Sequence, residues 1–439
     1  MSTIVLDDDP TGTQSVSGVQ VLFDWDSASI VDALRANNAV YLQTNSRAIS
    51  REDAVALAKR IRSDIAAAAA VLGEQPLIVL RGDSTLRGHV FAESDVFTAN
   101  EERILFVPAF PAGGRTTIGS VHQIVVGGVN TPVAETEFAQ DPVFGYRHSN
   151  LVDWTREKGD RQAYPVALED LRATRGRAVA DALRAAAAGE VVAPDVETDD
   201  DIRLIHSGAL LAIDAGIPVV VRSGAPLAAI AAGHMSEGLL LRPIEVPGDG
   251  KGLVVCGSHT AASTAQVRRL VEELRLDVVE IPTDAAREDP EAAGVVAARR
   301  ARRMILEGGL AIVTTERERR AEHSTLADGE LVMRALMVAT KLLSSEVGVI
   351  VSKGGITSAE VAATGFGVSR ATVRGQVAAG ISVWDMEVDG APRVQIIVPG
   401  NVGESETLVD VLAAVGWGGQ PEGPGAAAQA GAGGKATPA

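Results

Sequence analysis

Residues 2–13 read STIVLDDDPTGT, in which the apolar run Ile4–Leu6 ends directly in three aspartates and a Pro-Thr-Gly-Thr turn. A short aliphatic run bounded by turn residues is typical of a buried strand. In an open α/β sheet, ligands bind beyond the carboxyl ends of the strands. Adjacent carboxylates repel one another unless a cation or a substrate hydroxyl shares their site, which favours a functional role for Asp7, Asp8 and Asp9. The alternative is a simple acidic turn.

Similar short apolar runs recur outward from this stretch and alternate with helical patterns. The segment Arg51–Leu72 keeps its apolar residues three and four positions apart, which predicts an amphipathic helix, and Pro165–Gly189 predicts a second one. Such alternation predicts an α/β fold with a largely parallel sheet. The predicted strands of this half are Ile4–Leu6, Val19–Phe23, Ala39–Gln43, Leu77–Leu80, Ile104–Val107, Ile124–Val126 and Gly216–Arg222.

The stretch Val246–Gly252, VPGDGKG, predicts a linker because Pro, Gly and charged residues cluster there between two apolar runs. The alternating pattern then restarts. The predicted domains are therefore residues 1–246 and 252–417, each α/β, with a cleft between them. Residues 418–439 are rich in Gly, Ala and Pro and cannot bury a core, so they are predicted to form a disordered tail. The predicted elements of the second half are strands Leu253–Cys256, Val278–Ile281, Leu310–Thr314, Gly348–Ser352 and Val394–Val398, and helices Thr260–Leu274, Pro290–Glu307, Leu331–Leu343, Ser358–Thr364 and Glu404–Val415.

The composition excludes several classes of protein. With 439 residues and 46% hydrophobic content, the chain can bury a sizeable core. A net charge of −17 argues against a nucleic-acid-binding surface, although a few local arginines can still hold a small anion. Cys256 is the single cysteine, so an intrachain disulfide and a Cys-based zinc site are excluded. The N-terminus lacks a basic region and no apolar run reaches membrane-spanning length, which predicts a cytoplasmic protein.

A second polar motif follows the predicted strand Leu77–Leu80 and reads RGDSTLRGH, residues 81–89. Two arginines and two hydroxyls flanking Asp83 suit a polyhydroxy acid, because a guanidinium pairs with a carboxylate while Asp83 and Ser84 bind hydroxyls. Asn45 and Arg47 offer similar groups after the predicted strand Ala39–Gln43. For any single arginine the alternative is a surface salt bridge.

Three loops in the second half share one pattern, in which a strand runs into glycine and then into a helix. Glycine lets the backbone approach a phosphate, and a helix N-terminus presents free N–H groups. Each loop alone is weak evidence because glycine also closes ordinary turns, but three in one domain favour a nucleotide site. The loops are Cys256–His259, Lys353–Ser358 and Pro399–Gly403.

Several standard motifs are absent from the sequence. No GxxxxGK[ST] loop, no GxGxxG after a strand and no HExxH are present, and the seven histidines are scattered and best interpreted as structural. The spacing Asp7-x-Asp9-x-Thr11 also matches the opening motif of haloacid-dehalogenase-type phosphatases, with Asp7 as nucleophile. That alternative needs a later lysine and an acidic pair at a strand end, which the sequence does not supply in the expected way.

The chain resembles the four-carbon acid sugar kinases, in the branch whose N-terminus reads DDDPTGTQ. The resemblance runs from about residue 4 to about residue 415 and rests on DDDPTGTQSV, YLQTNSR, RGDSTLRGHV, VPAFPAGGRTT, PVAETEFAQDPVFGYRHSNL, VVRSGAPL, CGSHTAAST, SKGGITSAEVA and IIVPGNVGE. It implies two α/β domains, the first associated with the sugar acid and the second with ATP. It also implies phosphorylation of the terminal hydroxyl of a tetronate or a 2-keto relative.

The resemblance assigns Ser258, Gly400 and the loop Gly354–Thr357 to nucleotide contacts. The turn Thr314–Arg317 departs from the family's usual Thr-Ser-Arg, so its role is open.

The sequence thus predicts an ATP- and Mg²⁺-dependent kinase, with a non-catalytic sugar-acid-binding regulator as a second alternative beside the phosphatase. Oligomeric state and substrate stereochemistry stay open, and a homo-oligomer is compatible with the sequence. The predicted site residues are Asp9 or Asp83 as catalytic base; Asp8, Asn45, Arg47, Ser84 and Arg87 for the acid; and Ser258, Gly354, Gly355, Ile356, Thr357, Gly400, Asn401 and Gly403 for the nucleotide.

Overall fold

A computed structural model describes residues 1–98, 101–236, 238–318, 325–400 and 402–417. The predicted tail 418–439 and Asn401 lie outside these ranges. The described chain is α/β, as predicted, with strands in the order β1 Thr3–Asp7, β2 Gln20–Leu22, β3 Ala39–Gln43, β4 Leu77–Arg81, β5 Arg103–Val107, β6 Arg115–Ile118, β7 Val121–Val126, β8 Val129–Pro132, β9 Ala163–Val166, β10 Val191–Pro194, β11 Val219–Ser223, β12 Gly252–Cys256, β13 Val279–Ile281, β14 Leu310–Thr315, β15 Val349–Lys353, β16 Arg370–Ala378, β17 Ile381–Val388 and β18 Ala391–Val398.

The α-helices pack on the sheet, and half of them begin at a residue whose side chain accepts a free backbone N–H group of the first turn. Asp26, Ser50, Thr198 and Thr325 cap four of them in this way. The helices are α1 Ser27–Asn37, α2 Arg51–Leu72, α3 Val90–Phe97, α4 Leu151–Gly159, α5 Leu168–Ala173, α6 Arg177–Ala185, α7 Asp199–Asp214, α8 Ala225–Ala232, α9 Ala261–Leu274, α10 Thr283–Glu288, α11 Pro290–Gly308, α12 Leu326–Leu343, α13 Gly355–Glu360 and α14 Thr407–Ala413.

Both halves of the chain share one 15-stranded sheet, in the order β13-β14-β12-β15-β18-β17-β16-β2-β3-β1-β4-β11-β5-β10-β9. In this order the eight neighbouring strands from β2 to β9 run parallel to one another, and so do the five from β13 to β18. Between them lie three consecutive antiparallel pairings, β18–β17, β17–β16 and β16–β2. These pairings reverse the strand direction, so the parallel strands of the two halves run opposite ways.

The buried core crosses the same junction. One cluster of buried apolar side chains contains Val5 and Val21 of the first half together with Val373 and Trp384 of the second. Trp384 on β17 is fully buried and donates its indole N–H to the Thr13 hydroxyl at 3.0 Å. A short 3₁₀ helix, Pro10–Ser15, carries Thr13 from the end of β1 onto the antiparallel strands.

Three features differ from the sequence prediction. The helix predicted over Pro165–Gly189 is instead the end of β9 followed by α5 and α6, because Arg175 and Gly176 take left-handed φ angles of 52° and 86°. The run Ile124–Val126 belongs to a separate antiparallel sheet of β6, β7 and β8. The long hairpin β16–β17 was not predicted. Within the described ranges, every helix is too short or too polar to cross a bilayer.

Candidate functional site

The triple-aspartate turn is held by an arginine from the neighbouring strand. β1 and β4 pair in parallel register, which places Asp7 beside Arg81. The Arg81 Nη1 atom lies 3.0 Å from Asp7 Oδ1 and 3.3 Å from Asp8 Oδ1, and it donates to the Asp9 carbonyl at 2.9 Å. A single guanidinium therefore gathers all three aspartates at the carboxyl edge of the sheet.

Asp7 lies at the bottom of this cluster and is fully buried. Burial raises the pKa of Asp7 to about 7, against the lowering effect of Arg81, and the charges of Asp8 and Asp9 raise it further. The backbone of Gly12 covers the carboxyl group so closely that a Cβ there would lie 2.6 Å from Asp7 Cγ. Asp7 consequently braces the turn and is closed to any ligand, which leaves the phosphatase alternative without an accessible nucleophile.

Arg47 lies at the centre of the remaining carboxylates. Its Nη2 atom is 2.6 Å from Asp9 Oδ2, its Nε is 3.4 Å from Asp8 Oδ2, and its Nη1 is 3.6 Å from Asp83 Oδ1. Burial lowers the pKa of the Arg47 guanidinium, but Asp8, Asp9 and Asp83 raise it by more. Arg47 is therefore a permanent cation that links the loops after β1, β3 and β4.

Asp8 and Asp9 differ in accessibility and in charge state. The Asp8 side chain is 3% exposed, and burial raises its pKa in spite of Arg47 and Arg81. The Asp9 side chain is 15% exposed, and it also caps the 3₁₀ helix by accepting the Thr11 N–H at 2.8 Å. Burial alone would raise the pKa of Asp9, but Arg47, Arg81 and the Thr11 bonds lower it overall. Asp9 is thus the ionised and more accessible member of the turn, whereas the predicted substrate contact of Asp8 has little geometric support.

The loop 82–88 presents Asp83 toward the same space. Asp83 Oδ2 accepts from Arg87 Nε at 2.7 Å and makes a very short contact with the Thr85 hydroxyl. Burial raises the pKa of Asp83, but Arg87, Arg47 and the Thr85 bond hold it well below its usual range. Arg87 also lies 3.8 Å from Asp141 Oδ2, so two carboxylates balance its charge.

Two buried side chains outside the predicted set hold this loop in place. His122 on β7 contacts the Ser84 carbonyl through Nε2 at 2.8 Å and the Thr117 hydroxyl through Nδ1 at 2.9 Å. Burial lowers the pKa of His122 to about 4, so the imidazole stays neutral at physiological pH. Tyr146 donates its hydroxyl to the Thr85 carbonyl at 2.7 Å. The sequence interpreted His122 as structural, and its fixed contacts agree with that role.

A second buried ion pair supports the loop from below. Arg222 on β11 lies 2.5 Å from Glu93 on α3, and both side chains are almost fully buried. A Cβ at Gly82 would lie 2.7 Å from Arg222 Nη2, so the loop rests directly on this guanidinium. The sequence prediction missed Arg222 because it reads as one more residue of a buried strand, although the segment VVRSGAPL contributed to the resemblance.

The glycine-containing loops of the second half converge at the carboxyl ends of β12, β15 and β18. The Gly400 carbonyl accepts from the Thr260 hydroxyl at 2.8 Å and from the Ser263 hydroxyl at 3.2 Å. Ser263 also donates to Ser258 Oγ at 2.8 Å. A Cβ on Gly354 would lie 3.1 Å from Ser258 Cβ. These contacts bring together the loops around Ser258, Gly354 and Gly400, as a nucleotide site built from them requires.

Lys353 lies beneath these loops and has no exposed surface. Its Nζ donates to the carbonyls of Pro399 at 2.6 Å and Val402 at 3.2 Å. Burial lowers the pKa of Lys353 to about 8, against a small opposing effect of Cys256. A buried cation bonded to two carbonyls therefore fixes the loop after β18.

The turn Thr314–Arg317, whose role the sequence left open, folds back onto the Ser258 loop. Arg317 donates from Nη1 to the Ser258 carbonyl at 2.5 Å and from Nε to the Thr315 carbonyl at 3.0 Å. Its Nη2 donates to the Thr315 hydroxyl at 2.5 Å. Arg317 is thus a positioning residue for the loop that carries Ser258.

The two groups of loops meet where Asp9 contacts Gly355. A Cβ on Gly355 would collide with Asp9 Oδ2 and lie 2.9 Å from Asp9 Cγ. Only glycine allows this approach of a carboxylate to the start of α13. The acidic cluster of the first half and the glycine loops of the second therefore form one continuous site.

The remaining predicted residues have fewer contacts that tie their side chains to the site. Asn45 adopts a left-handed φ of 49° in the loop after β3, and Ser84 takes part through its carbonyl. Ile356 is 47% exposed beside Gly355. Gly403 lies against Thr407 at the start of α14, and its carbonyl accepts from Gln266 at 3.1 Å, which favours a structural role. Asn401 lies outside the described residues.

The aspartates of the site do not suit direct ligation of a metal ion. Asp7 is sealed, and Asp8, Asp9 and Asp83 are already paired with arginines. Across the described ranges, no group of three or more His, Cys, Asp or Glu side chains is arranged to hold a metal.

Two family models match successive parts of the chain. A family model described as a sugar-binding N-terminal domain matches residues 3–231, and one described as a nucleotide-binding C-terminal domain matches residues 253–408. A D-threonate kinase from Salmonella typhimurium is 28% identical over 94% of this chain and 98% of that protein.

Solved structures show the same fold. A Salmonella typhimurium protein superposes with a TM-score of 0.67 at 17% identity, covering 94% of this chain and 98% of that one. A Haemophilus influenzae protein superposes with a TM-score of 0.64 at 16% identity, covering 94% and 100%. The fold is therefore shared over 94% of this chain.

Proposed function

This chain belongs to the four-carbon acid sugar kinases, since it carries their sugar-binding and nucleotide-binding domains, and we propose that it transfers the terminal phosphoryl group of ATP to the terminal hydroxyl of a four-carbon sugar acid. D-threonate, the substrate in the name of the Salmonella relative, is the first candidate. A cytoplasmic location is part of this proposal, because ATP is the phosphoryl donor.

The contact between Asp9 and Gly355 carries the proposal. It joins the acidic cluster, which suits a polyhydroxy acid, to loops that suit a nucleotide. Phosphoryl transfer depends mainly on positioning and charge stabilisation, so a hydroxyl and a phosphate must be held side by side. This junction is the point of the described chain at which the two predicted binding regions touch.

On the nucleotide side, Ser258 and the loop Gly354–Thr357 offer a hydroxyl and close backbone approach. Gly400 closes the opposite wall through its bonds to Thr260 and Ser263. Lys353 and Arg317 hold these loops from behind without facing the nucleotide themselves. The exposed Ile356 would lie at the entrance of this site.

On the acceptor side, Asp9 is a better candidate than Asp83 for the group that accepts the hydroxyl proton. Asp9 contacts the glycine loop directly, whereas Asp83 is held by Arg87, Arg47 and Thr85. A carboxylate of low pKa still serves, because the loose transition state of phosphoryl transfer needs little proton removal before the bond to phosphorus forms. Asp83 and Ser84 would then orient hydroxyls of the acid.

Mg²⁺ is expected to enter with ATP, held by phosphate oxygens and water. Mg²⁺ usually keeps several waters and binds through substrate phosphates with one or two carboxylates. Because the aspartates here are committed to arginines, no protein ligand is assigned to the ion.

The test is ADP formation with a panel of four-carbon acids that includes D-threonate, with the product ester identified by phosphorus NMR. We expect ATP-dependent turnover for at least one acid. Hydrolysis of a phosphate ester without ATP would support the phosphatase instead, and binding of an acid without turnover would support the regulator.

A further inference from the structure

The carboxylate of a sugar acid needs a positive partner, yet most arginines around the acceptor site are already neutralised. Arg47 pairs with three aspartates, and Arg81 pairs with Asp7 and Asp8. Arg87 lies between Asp83 and Asp141, and Arg222 pairs with Glu93. None of these cations has charge left over for a bound anion.

Arg115, at the start of β6, is different. Its Nη1 donates to the Gly113 carbonyl in a very short bond, and its Nε is buried without a hydrogen-bond partner. Within the described part of the chain, its guanidinium forms no ion pair. The Arg115 side chain is half-buried, and a cation that is partly removed from water without an opposite charge is stabilised when a ligand supplies that charge. Arg115 therefore has the properties expected of an anion-binding residue.

The position of Arg115 connects it to the acceptor side. Its backbone bonds to Phe110 at 2.8 and 2.9 Å in the loop after β5, and its strand pairs with β7. His122 on β7 contacts the Ser84 carbonyl, so β6 and β7 lie against the loop that carries Asp83. Burial lowers the pKa of Arg115 and of His122, and the nearby Asp83 carboxylate opposes this effect by raising the pKa of both groups.

We propose that Arg115 binds the carboxylate of the substrate and sets the preference of the enzyme for acids over neutral polyols. This inference rests on the proposed function. It places the carboxylate at β6, the hydroxyls near Asp83 and Ser84, and the reacting hydroxyl toward Asp9. Arg87, which the sequence predicted to bind the acid, is a less favourable partner for the carboxylate, since Asp83 and Asp141 already balance its charge.

The experiment compares D-threonate with threitol, which lacks the carboxylate, in the wild type, Arg115→Gln and Arg115→Lys. Glutamine keeps a donor for the Gly113 carbonyl and removes the charge. We expect Arg115→Gln to lower kcat/KM for D-threonate about 10- to 100-fold, the range of a charged hydrogen bond, while kcat/KM for threitol and the KM for ATP stay unchanged. Arg115→Lys should recover part of the loss. Arg147→Gln, at a side chain 84% exposed, is the matched control.

If Arg115 had only a structural role, Arg115→Gln would lower kcat/KM equally for D-threonate and for threitol. That result would overturn the inference. Unchanged turnover of D-threonate in a folded Arg115→Gln protein would overturn it as well. If the wild-type enzyme neither binds nor phosphorylates any four-carbon acid, the proposed function fails first and the inference falls with it. Calorimetric titration of the wild type with D-threonate separates that case from the other two.

Discussion

At the scale of single residues, the environment of each carboxylate decides its role. Four aspartates lie within one network, yet burial raises the pKa of Asp7 and Asp8 whereas arginines and hydrogen bonds lower the pKa of Asp9 and Asp83. Desolvation dominates for Asp7 and Asp8, the two most deeply buried carboxylates, whereas arginines and hydrogen bonds outweigh it for the more exposed Asp9 and Asp83. Sequence reasoning could locate the aspartates but could not rank them, because their pKa values depend on Arg81 of β4 and on Arg47 of the loop after β3.

Asp9→Asn should leave the protein folded and lower kcat by about 10²- to 10⁴-fold, the usual contribution of a positioned proton acceptor. Asparagine keeps the cap on Thr11 but cannot accept the proton. Asp83→Asn, the comparison variant, should raise the KM for the acid more than it lowers kcat. Steady-state kinetics of both variants at saturating ATP make the distinction, and the reverse pattern would exchange their roles.

Gly355→Ala should lower kcat strongly even though the change is a single methyl group. The new Cβ would collide with Asp9 Oδ2, the oxygen that pairs with Arg47, so the carboxylate would have to move. Gly308→Ala is the matched control, because nothing lies within 4 Å of a Cβ at that glycine. Equal activity of the two variants in a kinetic assay, with melting temperatures alike, would remove Gly355 from the site.

Lys353 gives a pH dependence with a defined sign. Its folded-state pKa is about 8 and its ordinary value is 10.5, so between these values the folded state binds fewer protons than the unfolded state. The free energy of unfolding of the wild type, relative to that of Lys353→Met, should therefore rise with pH in this window, by at most about 1.4 kcal/mol per pH unit. Urea unfolding of both proteins at pH 7, 8, 9 and 10 measures the difference. A constant difference would mean that Lys353 titrates normally.

At the scale of elements, the sequence predicted most of the parallel strands and their helices, because buried aliphatic runs and amphipathic stripes are local signals. It missed the hairpin β16–β17 and assigned Ile124–Val126 to the wrong kind of sheet. Those strands mix polar and apolar residues, and their pairing depends on partners far along the chain. The helix predicted over Pro165–Gly189 failed because a composition rich in Ala and Arg hides the turn at Arg175 and Gly176.

The same reasoning explains what the sequence could find in the site. The loops around Asp9, Asp83, Ser258, Gly354 and Gly400 all follow predicted strands, so topology brings them together. The supporting side chains His122, Tyr146 and Arg115 come from the antiparallel sheet β6–β8 and the segment after it. Nothing in their local sequence shows which loop they reach.

His122→Phe tests the contribution of that sheet. Loss of the contact to the Ser84 carbonyl should release the loop 82–88 and raise the KM for the acid about 10-fold, roughly the value of one buried hydrogen bond with its unsatisfied partner, while the KM for ATP is unchanged. Because the pKa of His122 is about 4, the wild-type profile should show no histidine titration from this residue between pH 6 and 8. An equal change in both KM values would point to general unfolding instead.

At the scale of the whole molecule, the two predicted domains are joined by more than the linker at 246–252. β2 of the first half pairs with β16 of the second, and Trp384 is buried against Thr13. The buried core is also continuous between the halves. Asp9 and Gly355 belong to different halves, so the proposed phosphoryl transfer requires that the two halves be held in a fixed arrangement.

Fragments 1–246 and 252–417, expressed separately, should therefore each be less stable than the intact chain. In the first, β2 would be an unpaired edge strand; in the second, Trp384 and Val373 would be exposed to water. Unpaired edges and exposed apolar patches promote aggregation.

Mixing the fragments should restore part of the stability and of the ATP-dependent activity, because the interface is complementary. Thermal unfolding and kinetics of each fragment, of the mixture and of the intact chain measure this. If fragment 252–417 alone were as stable as the full protein and bound ATP equally well, the shared sheet would contribute little, and the halves would be independent domains that meet only at the site.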